Sequence, residues 1–293
     1  LTDAHCHPTD DPTLSSGDPN GAQKLAQRLQ QIPLEGACAM GSCTEDQVLV
    51  RRLAEEMHKM QLRPCFGYHP WYSHSLSLEH PPPPREEHYR SLLLTNDSSQ
   101  QARDELGALL PHLPTPRSLK DILEEIRNNL RAFPNALLGE VGLDRAFRIP
   151  TSKEAHTLAL RGKRLTSLGV PIGHQCKVLL AQIGVAVEEG RSISCHSVRA
   201  GEATVELIRE CCRVYNGANL DLHSCTMSAE QLKEILRHHP NIFVSFSTTI
   251  NARQKGLISQ LAIVPPTRLL VESDWHSAEQ LAGRNWDVLK LVA

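Results

Sequence analysis

Apolar residues along this chain fall into short runs separated by segments with helical spacing. Leu1 to His7 reads as a strand, Gly21 to Ile32 as a helix, and Leu34 to Gly41 as a small apolar strand. Thr44 to Met60 then places Val48, Leu49, Arg52, Leu53 and Met57 at helical intervals, and Thr44 with Gln47 reads as a capping box. Leu62 to Tyr68 is a third strand, Ser118 to Phe133 a helix, Ala136 to Gly142 a fourth strand, and Ile172 to Glu189 a helix. Arg191 to His196, Ala218 to His223, Ile242 to Ser247 and Thr267 to Ser273 supply four more strands. Helices over Thr204 to Tyr215, Ala229 to His238 and Arg253 to Leu261 separate these four, and a short one over Ala278 to Val292 closes the chain.

Eight strands, each followed by a helix or a long excursion, in 293 residues predict a single α/β domain spanning residues 1–293. The economical fold is a (β/α)8 TIM barrel, which takes about 250 residues. An open doubly wound sheet is the rival, but neither a G-x-G-x-x-G after the first strand nor a P-loop is present.

Two stretches interrupt the alternation. Residues 73–116 follow the third strand and contain Pro81-Pro82-Pro83-Pro84, further prolines at 111, 114 and 116, and the polar run Thr95-Asn96-Asp97-Ser98-Ser99. This composition predicts loop or mobile chain, an insertion at the C-terminal face of the barrel that could serve as a lid, a contact for a protein partner or a tolerated excursion. Residues 145–173 carry Arg145, Arg148, Lys153, Arg161, Lys163 and Arg164 against the single acid Glu154. That basic segment suits phosphate contact or a solvated helix face.

The net charge of −2 excludes a surface that is basic all over, so nucleic-acid contact must be local. Nine cysteines, an odd number, with Cys38, Cys65 and Cys195 inside apolar runs, predict free thiols in a reducing compartment, cytoplasmic or nuclear. Cys211-Cys212 has no C-x-x-C partner and so gives no zinc ribbon. No apolar stretch approaches the roughly 18 residues of a membrane span, and no membrane association is expected. The sequence opens at Leu1, already inside a motif, which leaves the natural N-terminus and any targeting signal open.

The chemistry lies at the strand ends. Asp3-Ala4-His5-Cys6-His7 puts His5 and His7 two residues apart, on one face of a strand, where both imidazoles reach one ion. Glu140 falls at the end of the fourth strand, His196 at the end of the fifth, His223 at the end of the sixth, and Asp274 directly after the eighth. Barrel enzymes build their active sites on that face. Four histidines and two carboxylates exceed one tetrahedral site with an open position and suit two adjacent divalent ions, whose shared role is to activate water for hydrolysis.

These motifs, together with Gly67-Tyr68-His69-Pro70, Gly139-Glu140-Val141-Gly142-Leu143-Asp144, Ser194-Cys195-His196-Ser197-Val198-Arg199-Ala200, Leu222-His223-Ser224 and Glu272-Ser273-Asp274, resemble the TatD family of metal-dependent deoxyribonucleases in the amidohydrolase superfamily. Leu269 to Trp275 further resembles a fungal branch of that family, described as associating with a cell-cycle ubiquitin-ligase component. The resemblance implies a TIM-barrel nuclease, exonuclease-like, with DNA as substrate and two divalent ions (Mg²⁺, Mn²⁺ or Zn²⁺) as cofactors. It implies a binuclear metal centre in which His5, His7 and Asp274 hold one ion, His196 and His223 the other, and Glu140 bridges them. Glu140 and Asp274 are then the catalytic residues, Asp274 also accepting a proton from water. His69 resembles the family's substrate-phosphate contact, and Arg199, Asp144 and Glu272 match positions near the substrate.

Two departures reshape the rim. Ser224-Cys225-Thr226-Met227 replaces the family's Ser-Phe-Ser-Gly, and Trp275-His276 replaces Ser-Pro after Asp274. Trp275 could stack on a base or cover the barrel end. Two alternatives stand beside the nuclease: an amidase, esterase or deacylase using the same site, and a barrel serving as a protein-interaction module through residues 73–116.

Overall fold

The computed structural model describes the chain except residues 12, 15–17, 19, 152–164 and 216. The chain runs β1 (Thr2–Cys6), α1 (Gly21–Leu29), β2 (Gly36–Met40), α2 (Thr44–Glu56) and β3 (Gln61–Phe66) before leaving the alternation. An excursion follows, with β4 (Leu76–Ser77), α3 (Arg85–Leu93), α4 (Gln100–Leu109) and β5 (Arg117–Ser118), then α5 (Leu119–Ala132) and β6 (Leu137–Asp144). The second half adds α6 (Ile172–Glu188), β7 (Ile193–Val198), α7 (Gly201–Val214), β8 (Leu220–Leu222), α8 (Ala229–His238) and β9 (Ile242–Phe246). The short α9 (Thr248–Asn251) and α10 (Leu257–Leu261), β10 (Leu269–Val271) and α11 (Leu281–Val292) complete it.

Eight strands form one parallel sheet in the order β1-β2-β3-β6-β7-β8-β9-β10. The ring is drawn together at its seam by backbone hydrogen bonds from Asp274 N to His5 O (3.0 Å) and from His7 N to Trp275 O (2.8 Å). The result is the expected (β/α)8 barrel. Strands buried on both faces read as apolar runs, and all five residues of β2 are buried. Helices cover the outside with one stripe each. In α5 that stripe is Leu119, Ile122, Ile126 and Leu130, whose spacing of three and four residues keeps them on one face. Burying each such side chain contributes roughly 1.5–3 kcal/mol.

Pairing is irregular at two places, between Asp3 and Cys6 in β1 and between Leu138 and Val141 in β6. These slips flank His5 and Glu140, and bulges of this kind re-aim side chains beside active sites. Gly142, at φ +155°, is the other local adjustment: a Cβ there would lie 2.2 Å from His196 O, so only glycine lets β6 approach β7 this closely.

Several sequence expectations change. Residues 73–116 are not plain loop: they hold α3, α4 and β4, which pairs in parallel with β5 just beyond them. Tyr89, Leu106, Leu109 and Leu113 from this excursion form a separate small core with Ile149 and Leu168. The Thr44/Gln47 capping box is absent. Cys43 is the N-cap without a side-chain bond, the Gln47 amide donates to Gly67 O (3.0 Å), and the Thr44 hydroxyl pairs with Tyr68 Oη at 2.5 Å. A capping box does form at α8, between Ser228 and Gln231. Of the segment expected as one helix over 253–261 only α10 (Leu257–Leu261) is helical, and the short α9 precedes it. Much of the basic segment, including Lys153, Glu154, Arg161, Lys163 and Arg164, lies outside the described residues.

Candidate metal centre

Glu140 is the hub of the barrel mouth. It sits midway along β6, not at its end as expected, because the strand continues pairing with β7 as far as Asp144 and Val198. Its Oε1 lies 2.8 Å from His223 Nε2, 3.0 Å from His196 Nδ1 and 3.2 Å from His69 Nε2. Its Oε2 faces the other way, 3.3 Å from His7 Nε2 and 3.7 Å from His5 Nε2. One carboxylate therefore addresses two sets of imidazoles with two different oxygens.

The imidazoles converge on one another as well. His5 Nε2 and His7 Nε2 are 3.1 Å apart, His196 Nδ1 and His223 Nε2 are 3.2 Å apart, and the His5 and His223 rings stack at 3.8 Å. Asp274 Oδ1 is 3.7 Å from His7 Nε2. Potential ligand atoms lie within 4.8 Å of one another in three groups: His5, His7 and Asp274; His69, Glu140 and His196; and His5, His223 and Glu272. His7 Nδ1 and His223 Nδ1 are buried without a hydrogen-bond partner among the described residues. Nitrogen lone pairs turned toward each other around a carboxylate fit divalent cations, since imidazole and carboxylate are ligands for such ions.

Charge is distributed accordingly. Burial alone would raise the Glu140 carboxyl, but the charges of His69 and His223 and the hydrogen bonds from His196 and His223 hold it well below the usual range. Burial, reinforced by the charge of His223, lowers His5 to about 4. For His7 burial acts in the same sense but is outweighed by the hydrogen bond to and charge of Glu140, which raise it to about 10. The metal-free site is thus proton-rich on His7.

His5 and His196 are held from behind. His5 Nδ1 meets Ser194 Oγ at 2.8 Å, and the Asp3 carboxylate accepts from His5 N (3.2 Å), Ser273 N (3.0 Å) and Asn285 Nδ2 (2.7 Å). His196 Nε2 faces Asp144 Oδ2 at 3.4 Å, and the same oxygen accepts from Trp71 Nε1 at 2.7 Å. Asp144 Oδ1 accepts from Ala146 N and Phe147 N. Glu272 is fully buried behind His223, with Oε1 accepting from Ser224 N (2.7 Å) and Ser224 Oγ (2.5 Å). Asp144 and Glu272 therefore stand behind imidazoles rather than at the open mouth. Arg199 lies at the rim and is exposed.

Sequence reasoning missed Trp71 and Ser194. Ser194 was signalled by its place two residues before His196 on the same strand face, whereas the Trp71–Asp144 bond spans 73 residues and leaves no local trace. Three non-glycine residues in the left-handed region, Arg199 (φ 50°), Ser224 (φ 40°) and Asp274 (φ 46°), follow β7, β8 and β10 at this mouth. Such conformations cost about 1–3 kcal/mol each and gather at functional sites.

A parallel barrel that collects imidazoles and carboxylates at the carboxyl ends of its strands defines a metal-dependent hydrolase. The family described as TatD related DNase matches residues 2–287. The chain is 31% identical over 311 residues to the Cut9-interacting protein scn1 of Schizosaccharomyces pombe, covering 96% of this chain and 88% of that one. It is 29% identical over 284 residues to an uncharacterized deoxyribonuclease of Saccharomyces cerevisiae, covering 94% and 83%. Among solved structures, a TatD homolog of Escherichia coli superposes with a TM-score of 0.60 at 19% identity, over 100% of this chain and 90% of the other. An uncharacterized amidohydrolase of Saccharomyces cerevisiae superposes with a TM-score of 0.58 at 17% identity, over 94% and 75%. The chain belongs to the TatD family of metal-dependent deoxyribonucleases.

Proposed function

We propose that this chain cleaves phosphodiester bonds of DNA at a centre of two divalent ions. The observation that carries this reading is the division of the two Glu140 oxygens between His5 and His7 on one side and His196 and His223 on the other. His5, His7 and Asp274 would hold one ion, His196 and His223 the second, with Glu140 between them. Divalent ions there supply Lewis acidity, which makes water more acidic and offsets charge on a phosphate oxygen. Asp274 accepts the proton of the attacking water at its carboxylate. His69 lies against Glu140 and His196 and donates toward a phosphate oxygen from that edge, while Asp144 and Glu272 orient His196 and His223.

All nine cysteines are free, which supports a reducing compartment, cytoplasmic or nuclear. Among the described residues no helix is long and apolar enough to cross a membrane. A protein partner is proposed for the outer face of α3 and α4, supported by the name of the fission-yeast relative. Replacing the exposed Glu86 and Arg90 together should weaken that contact and spare hydrolysis.

The reading is tested by presenting the chain, with Mg²⁺, Mn²⁺ or Zn²⁺, with single-stranded DNA, duplex DNA and a panel of carboxylic esters and amides. Cleavage of DNA with little turnover of the carbonyl substrates is the expected result. Turnover of esters or amides with DNA left intact would move the assignment to an esterase, amidase or deacylase.

A further inference from the structure

We propose that the cavity between the ends of β7 and β8 is a second phosphate subsite, in which Arg145 and Arg199 hold a phosphodiester neighbouring the one at the metal centre on the same DNA strand. The inference rests on the nucleolytic reading above and narrows it to a polymeric substrate. The cavity encloses about 360 Å³, and its polar lining comes from Arg145, Ser197, Arg199, Glu202, Thr226 and Gln231. That volume is within the range of pockets that take a small ligand group.

Its position follows from the strands that build the metal centre. Ser197 directly follows His196 and Arg199 comes three residues after it, Thr226 comes three residues after His223, and Arg145 follows Asp144 at the end of β6. The Thr226 hydroxyl donates to Ser197 O (3.3 Å) and Arg145 N donates to Val198 O (3.0 Å), which ties the three strand ends into one wall. A strand whose scissile phosphate lies among the imidazoles therefore passes this wall with its next phosphate.

Among the described residues, neither guanidinium has an ion pair or a side-chain hydrogen bond. Arg28, Arg117, Arg127, Arg131, Arg209 and Arg213, by contrast, are each paired with a carboxylate. Two unpaired forks facing one polar cavity match the bidentate geometry of phosphate oxygens. Arg199, which lines the cavity, is held at φ 50°, a strained conformation. Glu202 sets the charge. Two guanidiniums and one carboxylate leave the lining at +1, which complements the single charge of an internal phosphodiester better than a terminal phosphate carrying nearly two.

The test is the binding of a fluorescently labelled single-stranded deoxyoligonucleotide to the full chain, read by anisotropy in the presence of a chelator so that nothing is cleaved. Arg145→Ala and Arg199→Ala should each weaken binding at least tenfold. Each should also lower the slope of log affinity against log salt by about 0.7. Glu202→Gln should tighten binding several-fold. All three side chains are exposed, so the variants keep the fold. Replacing single phosphates by neutral methylphosphonates should then weaken wild-type binding at one internal position, and Arg145→Ala should be indifferent to that replacement.

Variants that bind with wild-type affinity and salt dependence, or a methylphosphonate cost spread evenly along the strand and unchanged by Arg145→Ala, overturn the subsite. The two readings fail separately. DNA cleavage by the metal-loaded chain alongside unaffected variants removes only the subsite, whereas binding that responds to the variants without cleavage by the metal-loaded chain removes only the hydrolysis.

Discussion

Glu140 keeps Oε1 2.8 Å from His223 Nε2 while turning Oε2 toward the imidazoles of His5 and His7. A carboxylate that makes a single ion pair needs only one of its oxygens. Here both are engaged from opposite sides at a buried position, and the surrounding groups hold the carboxyl ionised. In the proposed centre, metal binding exchanges protons on the imidazoles for cations around a charge that is already present.

That exchange has a measurable consequence. His7, raised to about 10, carries a proton at neutral pH in the metal-free chain, and a metal ligand must be neutral. Titration calorimetry at pH 7 in buffers of different ionisation enthalpy should show at least one proton released per chain on binding. Affinity should rise with pH, by up to about tenfold per unit. A binding enthalpy identical in all buffers would contradict the arrangement.

Asp144 acts on the centre through His196. Burial would raise its carboxyl, but hydrogen bonds from His196 and Trp71 hold it at about 2. Asp144→Asn should lower metal affinity or activity about 10–100-fold, as loss of a ligand-orienting carboxylate does. A carboxyl depressed in the folded state contributes stability above its unfolded value, about 3.9, and loses it as pH falls through about 2. The stability gap between wild type and Asp144→Asn in urea should accordingly shrink as pH falls from about 5 to below about 4. A gap that widens on acidification would refute this role.

Ser245 poses a question of hydrogen count. Its hydroxyl lies 2.8 Å from Asp221 Oδ2 and 2.5 Å from Glu272 Oε2, yet it has one hydrogen to give. One carboxyl must supply a proton of its own, and burial together with the charge of Glu272 raises Asp221 to about 7. The folded chain therefore binds a proton between about pH 4 and 7 that the unfolded chain does not, and stability should fall with rising pH across that window. Asp221→Asn should make that slope shallower, the remainder coming from Asp3 and Asp10, which are also raised. Ser245→Ala should destabilise the chain by about 2 kcal/mol or more, and the double variant should recover most of the loss. Equal pH slopes for wild type and Asp221→Asn in denaturant titrations would show that Asp221 is not the proton carrier.

The barrel was legible because its physics is local. Parallel strands buried on both faces must be continuous apolar runs, and helices that cover them must repeat their apolar residues every three or four positions. The placement of His5, His7, His196, His223 and Asp274 at the barrel mouth was legible for a related reason, since the end of each run marks that mouth. The excursion over 73–116 was not, because α3 and α4 are largely polar and their few anchors, Tyr89, Leu106 and Leu109, pack on Ile149 and Leu168 far along the chain. Gln47 misled for the same reason: its amide meets Gly67 O, a tertiary partner that outcompetes the local cap. The bond from Trp71 to Asp144 likewise exists only once the chain is folded.

The most direct test of the account is to count divalent ions per chain in wild type and in Glu140→Ala, with DNA cleavage measured on the same samples. The account predicts two equivalents in wild type, at most one in the variant, and cleavage reduced by at least about a hundredfold. Two equivalents and undiminished cleavage in Glu140→Ala would contradict it.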